Sequence, residues 1–438
     1  MTENILTEFD SFFFLGIGGV SMSALARILS LYGKRVAGCD RCESDYTAAL
    51  KSNGIKVTVG NCADFENFQV VVYTDALPDN NPALIAARRQ KKFLLSRGKL
   101  LAELSATCNN TVAVAGCHGK TTCTAMLAHI FGCAGERFTS HIGGDDLDFS
   151  NAHAAGNEFF ITEACEYRKN FLYLKPALAV ILNSDADHLD CYGSAENLKK
   201  AYLQFSSSAK RTVKLFGDLP EADGVTFGFD DRADYYAKNI RNVNGAFTFK
   251  VYERGAELGR VSLSVCGKHN VLNALAATAA ARLNDISFDK ISLGLSEFRG
   301  VKRRFERIGT HNGAVCIADY AHHPNEIKAA LKTARLITCG ELYVIFQPHT
   351  YSRTKNLFKP FVLTLSAVKK LLIYKTFAAR EYYDDAGSAL TLSNFVKRSL
   401  YGDCETDIER FLSDAREGDT VLFLGAGDIY DIAKTLVD

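Results

Sequence analysis

The sequence predicts an α/β protein built from three nucleotide-fold units, and three observations carry that expectation. Short continuous apolar runs alternate with amphipathic stretches at helical spacing from end to end. Three of the runs lead through a glycine into a helical stretch, near residues 16, 116 and 425. The length of 438 residues suits about three domains of ~150 residues each.

The first unit opens with Phe12-Phe13-Phe14-Leu15, a glycine cluster, and Met22 to Leu31 at helical spacing. Val112-Ala113-Val114 repeats the plan at Gly116, followed by a helix through Met126, Leu127 and Ile130. Ala314 to Ile317, Leu342 to Phe346, Leu371 to Ile373 and Val421 to Leu424 are further apolar runs. Such runs suit strands of a parallel sheet covered on both faces, joined by right-handed crossovers. The polar stretch Ala106-Thr107-Cys108-Asn109-Asn110 reads as a linker, and the basic cluster Arg299 to Arg304 closes the middle region. The expected domains are therefore 1–107, 108–299 and 300–438. The stretch from about 211 to 265 is rich in short β-like pieces and suggests a small antiparallel layer.

Composition removes several function classes. Lys+Arg 51 against Asp+Glu 50 leaves no global field to recruit nucleic acid or an anionic membrane. Hydrophobic residues at 47% and charged residues at 23% exclude a disordered chain. No apolar run approaches the ~18 residues of a membrane span, and Met1-Thr2-Glu3-Asn4 does not begin a secretory signal. Thirteen scattered cysteines, an odd number, suggest free thiols in a reducing compartment. A cytoplasmic enzyme is the expectation. Cys39 and Cys42 form a C-x-x-C, but without a second pair it argues only weakly for metal.

The N-terminal cluster is Gly16-Ile17-Gly18-Gly19-Val20-Ser21. Its glycines allow a tight turn and close approach to a pyrophosphate at a helix N-terminus. Asp40 ends the next strand, about where such folds place a ribose-binding acid. Serine stands at position 21 where a dinucleotide fingerprint has glycine, so a structural turn fits nearly as well. The second cluster, Gly116-Cys117-His118-Gly119-Lys120-Thr121-Thr122, is more specific. It offers an N–H cradle, a cation for phosphates and a hydroxyl for Mg²⁺ at a strand-to-helix junction.

Glu163 follows the strand Phe159-Phe160-Ile161, where a carboxylate near a phosphate loop suits Mg²⁺. Asn183-Ser184-Asp185-Ala186-Asp187-His188-Leu189-Asp190 places three acids and an imidazole after another strand. A solvated acidic loop is the plain alternative, and metal and phosphate contacts are favoured over it. Asn270 and Asn273 share a helix face, fitting either a helix cap or recognition of adenine. Asp319-Tyr320-Ala321-His322-His323-Pro324-Asn325-Glu326 and Gln347-Pro348-His349-Thr350-Tyr351-Ser352-Arg353-Thr354 each lie beyond a strand's C-terminal end. Following consecutive predicted strands, they should meet in one crevice. His129, His141, His153 and His311 read as ordinary surface or core histidines.

Taken in order, these segments resemble the Mur ligase family, and within it the alanine-adding branch. The resemblance runs over the whole chain, with Asp319 to Pro324 and Gln347 to Thr354 its most specific stretches. It implies an N-terminal Rossmann-like domain, a central P-loop ATPase-type α/β domain and a C-terminal Rossmann-like domain. It implies ATP and Mg²⁺ as cofactors, with UDP-N-acetylmuramate and L-alanine as substrates, and leaves monomer and homodimer open. The activity implied is ligation through an acyl phosphate. By resemblance Gly116, Cys117, His118, Gly119, Lys120, Thr121, Thr122, Asn270, Asn273 and Asp319 would bind ATP. Thr121, Glu163 and His188 would hold metal. Gly16, Gly18, Gly19, Val20, Ser21, Asp40 and Arg304 would hold the UDP substrate. His323 and Arg353 would position the amino acid, and Lys120, His188, His323 and Arg353 would form the catalytic group. Asp75 departs from the family pattern, as does Cys266. Ala201-Tyr202 occupies the place of a lysine that relatives carbamylate, so that modification is not expected.

Overall fold

The computed structural model describes residues 5–60, 64–185 and 189–438. The first sheet holds β1 (Ser11–Leu15), β2 (Arg35–Asp40), β3 (Lys56–Val59), β4 (Val70–Tyr73) and β5 (Phe93–Ser96). They lie in the order β3-β2-β1-β4-β5, all parallel. Phe12 to Leu15 take the middle position because both faces of that strand are covered, and all four are buried. The chain winds outward to β3 and then returns to β4 on the other side of β1. The turn after β1 therefore sits where strand order reverses, the place at which open α/β sheets take ligands.

The second sheet holds β6 (Asn110–Ala115), β7 (Phe138–Asp146), β8 (Ser150–Ala154), β9 (Phe159–Glu163) and β10 (Leu178–Ile181). It continues with β11 (Arg211–Leu215), β12 (Val225–Gly228), β13 (Tyr235–Val243), β14 (Ala246–Glu253) and β15 (Ala256–Cys266). Their order is β15-β14-β13-β12-β11-β10-β6-β9-β7-β8. β6 is parallel to both β9 and β10, so the segments beginning at Gly116, Glu163 and Leu182 leave the same edge side by side. Of the stretch 211–265 expected to form a small antiparallel layer, β13, β14 and β15 are successive sheet neighbours joined by two-residue turns, as antiparallel strands are, whereas β11 and β12 extend the parallel part of the sheet. β11, β12 and β13 pair in parallel onto β10 in succession, because the open edge of β10 supplies the backbone partners.

The third sheet holds β16 (Glu306–His311), β17 (Ala314–Asp319), β18 (Leu342–Phe346), β19 (Lys370–Tyr374), β20 (Ser399–Gly402) and β21 (Thr420–Leu424). Their order is β16-β17-β21-β18-β19-β20, and only β16 pairs antiparallel. β17 and β18 are consecutive in the chain, and β21 lies between them in the sheet. Their polar ends still leave one edge and flank Gly425.

The chain packs as two compact units. One comprises Met1–Ile240, Phe249–Ser262 and Val271–Arg299; the other comprises Arg241–Thr248, Leu263–Asn270 and Gly300–Asp438. Within the first, Phe12, Leu25 and Leu100 share one apolar cluster with Phe171, Tyr202 and Phe205, so the first two sheets cohere through a common core. No described helix is long and apolar enough to cross a membrane. Cys42 is a free exposed thiol. Cys39 is buried on β2 among the core residues of the first sheet, so the C-x-x-C pair does not present two exposed ligands.

Candidate active site

β6 runs into Gly116 (φ +140°) and Gly119 (φ +86°), and Lys120 starts a helix that ends at Ala134. Glycine is required at position 119 by its left-handed φ and by space. A Cβ there would lie 2.5 Å from Asn273 Oδ1. Gly116 to Thr122 thus form the predicted loop, and the start of the 15-residue helix favours an anion.

Lys120 Nζ donates to Gly116 O at 2.6 Å, to Cys117 O at 3.3 Å and to Glu166 Oε1 at 3.1 Å. Burial alone would lower the pKa of this ammonium, but the charges of Glu166, Cys165 and Glu163 outweigh it and raise the pKa. The lysine is therefore held charged. Glu166, only 1% exposed, pairs with this lysine, and the sequence reading left it without a role. Its signal was a second carboxylate three residues after Glu163.

Asn183, just beyond β10, was also missed. Its Oδ1 accepts from the N–H groups of Cys117 (2.9 Å) and His118 (3.2 Å), and its Nδ2 donates to His118 O (3.0 Å). Those two N–H groups therefore hold the loop's shape, and the open face of the cradle belongs to residues 119–122. Glu163 ends β9 and accepts from Gly143 N at 2.8 Å. A Cβ on Gly143 would meet the Glu163 carboxyl carbon at 2.6 Å, so that glycine makes room for the acid. The buried Thr121 hydroxyl and the Glu163 carboxylate are hard oxygen donors of the kind Mg²⁺ takes. His188 lies outside the described residues.

Around the first glycine turn, Gly18 N donates to Asp40 Oδ2 at 2.7 Å, and Arg41 N donates to Asp40 Oδ1 at 2.7 Å. Asp40 thus shapes the loop through its own backbone. Gly19 caps the helix Val20–Leu31, and Val20 O accepts from Asn151 Nδ2 at 2.9 Å. Ser21 Oγ lies 2.8 Å from His141 Nε2 and 3.2 Å from Arg97 Nη1. His141, expected to be ordinary, is buried, which pushes its pKa down to about 3, helped by the Arg97 charge. The unexplained Asp75 accepts from Asn170 Nδ2 at 2.8 Å. Tyr202 is fully buried with its hydroxyl 3.7 Å from Cys117 Sγ, while Lys199 and Lys200 pair with Glu221 and Glu196.

In the second unit Asp319 ends β17 and accepts from Phe305 N and Ala321 N, both at 2.8 Å. Burial raises its carboxyl to about 6, against the opposing charge of Arg304. Arg304 stands 5.1 Å from the Tyr320 ring centre. Arg303 stands 5.0 Å from the rings of both Tyr320 and Tyr430, and its Nη2 donates to Gly427 O at 2.8 Å. His323 caps the helix Pro324–Ile337, its Nδ1 accepting from Asn325 N. His322 is the ring turned toward His349, 5.7 Å between centres. Burial lowers His349 to about 4, with the His322 and Arg353 charges adding to the effect, and its neutral Nδ1 accepts from Arg353 Nη1 at 3.1 Å. Asn270 belongs to this unit and donates from Nδ2 to Cys266 O at 2.7 Å. His322 and His349, to which the sequence reading assigned no individual role, thus join the predicted Arg353 in one cluster.

Residues 11–108 match the Mur ligase family catalytic domain, 114–281 the Mur ligase middle domain, and 303–427 the Mur ligase glutamate ligase domain. The chain is 40% identical to the UDP-N-acetylmuramate–L-alanine ligase of Clostridium acetobutylicum over 96% of each chain. It is 38% identical to that of Clostridium beijerinckii over 99% of each. Among solved structures it is similar to the UDP-N-acetylmuramate-alanine ligase MurC of Thermotoga maritima, with TM-score 0.84 and 30% identity over 97% of this chain and 98% of that one. A murein peptide ligase of Psychrobacter arcticus shares the fold at TM-score 0.75 and 23% identity, covering 97% of both chains. The chain belongs to the Mur ligase family.

Proposed function

We propose that this chain joins L-alanine to the lactyl carboxylate of UDP-N-acetylmuramate at the expense of ATP, in the cytoplasmic assembly of peptidoglycan precursors. The observation that carries the reading is the charged Lys120 at the phosphate loop, with Glu163 and Glu166 close enough to govern its pKa. A carboxylate is a poor acyl donor, and two anions must be brought together before it can take the γ-phosphoryl group. Lys120 and the helix N-terminus behind it concentrate the required positive charge. Thr121 and Glu163 would hold Mg²⁺, with His188 a further proposed ligand, and the bound ion would offset phosphate charge. Gly116 to Thr122, Asn270, Asn273 and Asp319 would hold ATP. Gly16 to Ser21, Asp40 and Arg304 would hold the sugar nucleotide. Arg353, steadied by His349, would take the carboxylate of alanine, with His323 beside it. The proposed domain limits remain 1–107, 108–299 and 300–438.

The decisive measurement is phosphate release by the purified protein with ATP, Mg²⁺ and UDP-N-acetylmuramate against a panel of amino acids. Alanine-dependent release supports the reading. Release that depends on a tripeptide in preference to alanine would replace it with the murein peptide ligase reading, which the shared fold keeps open.

A further inference from the structure

We infer that Arg97 is an anion-binding residue for the sugar nucleotide, and that Ser21 serves to aim it; this rests on the substrate reading above. Arg97 Nη1 donates to Ser21 Oγ at 3.2 Å, and Ser21 Oγ lies 2.8 Å from His141 Nε2, whose ring Nδ1 lies 3.0 Å from Thr162 Oγ1. The serine thus holds the guanidinium at the glycine turn through one of its five N–H groups and leaves the others to face a ligand.

The charge balance points the same way. Arg97 is the first residue of the helix Arg97–Ala106, where the macrodipole disfavours a cation. It stands against Ser21, the second residue of the helix Val20–Leu31, so two positive helix ends and a guanidinium converge. Among the described residues Arg97 has no carboxylate within ion-pair distance, its side-chain partner being the Ser21 hydroxyl. Arg97 also lies close enough to Cys165, beside the phosphate-loop lysine, for both positive charges to act on that thiol. A half-buried cation without a counter-ion in that place is completed by an anionic group of the ligand: the diphosphate or the lactyl carboxylate.

Calorimetric titration of the full chain separates the possibilities. The probes are UDP-N-acetylmuramate, UDP-N-acetylglucosamine (the same diphosphate without the lactyl carboxylate) and ATP. Arg97→Met should bind UDP-N-acetylmuramate about ten- to a hundredfold more weakly, the loss expected for one charge-assisted contact, and ATP within about twofold. Arg97→Lys should recover part of the loss, and Ser21→Ala should add little once Arg97 is gone. Equal weakening of both sugar nucleotides assigns the diphosphate; weakening confined to UDP-N-acetylmuramate assigns the carboxylate. Arg97→Met that binds both sugar nucleotides like the wild type with an unchanged melting temperature overturns the inference, as does equal loss of ATP. If Arg97→Met melts early, Arg97→Gln makes the same comparison. A wild-type chain that binds neither sugar nucleotide sinks the substrate reading itself, before any variant is compared.

Discussion

Asn183 Oδ1 accepts from the backbone N–H groups of both Cys117 and His118, so one side chain from the end of β10 sets the curvature of the phosphate loop. Asn183→Ala leaves both groups without that partner, at about 1–3 kcal/mol for each one kept from water. The Michaelis constant for ATP should rise about tenfold or more, while that for alanine moves little. Steady-state kinetics with each substrate varied in turn checks this; equal changes in both constants count against a loop-shaping role.

Lys120 and Glu166 form a buried pair, 15% and 1% exposed. Lys120→Ala should abolish turnover and also lower stability, since removing one partner of a buried pair costs about 3–5 kcal/mol unless the survivor takes up a proton. Glu166→Gln keeps the shape and should be tolerated better in thermal unfolding. Wild-type rates in Lys120→Ala would refute the phosphate-loop assignment.

Gly143 is small because Glu163 lies against it. Gly143→Ala must push the carboxylate aside, with little effect on the core. The expected result is a several-fold higher Mg²⁺ concentration for half-maximal rate at a nearly unchanged melting temperature. An unaltered Mg²⁺ dependence would remove Glu163 from the proposed ligand set.

Arg353 is steadied by a neutral His349. Arg353→Ala should raise the Michaelis constant for alanine about tenfold or more, and His349→Leu should do the same more weakly, with ATP affected less in both. Because His349 titrates near 4, its contribution should hold steady from pH 6 to 8 and fail only toward pH 4. A His349-dependent change in alanine affinity between pH 6 and 8 would contradict the neutral ring.

Asp319 has a carboxyl raised to about 6 from 3.8. The folded state therefore binds its proton more tightly than the unfolded chain. This contribution to stability is fully present below about pH 4 and is lost as pH rises through about 6. Urea unfolding between pH 4 and 7 should show a declining component, on the order of 1–3 kcal/mol, that Asp319→Asn removes. An identical pH dependence in the variant would deny Asp319 that titration.

The strand–glycine–helix starts at Gly16 and Gly116 were legible because local sterics and apolar patterning specify them. Only a glycine adopts φ +86° at position 119 without strain, and only covered strands run Phe12-Phe13-Phe14-Leu15. Lys120, Glu163, Asp319 and Arg353 could be nominated for the same reason, each standing where a strand or loop of known type places chemistry. Tertiary structure alone decided which groups answer one another. Asn183 meets Cys117 across 66 residues, His141 meets Ser21 across 120, and β21 comes between β17 and β18 from far downstream. Within 211–265 the placement of β11 and β12 was not legible for the same reason: strands look alike on any sheet, and the free edge of β10 settled where these two pair. Periodicity and turn chemistry act over a few residues, whereas hydrogen-bond partners and charge balance depend on which distant segments the packed core brings within about 3 Å.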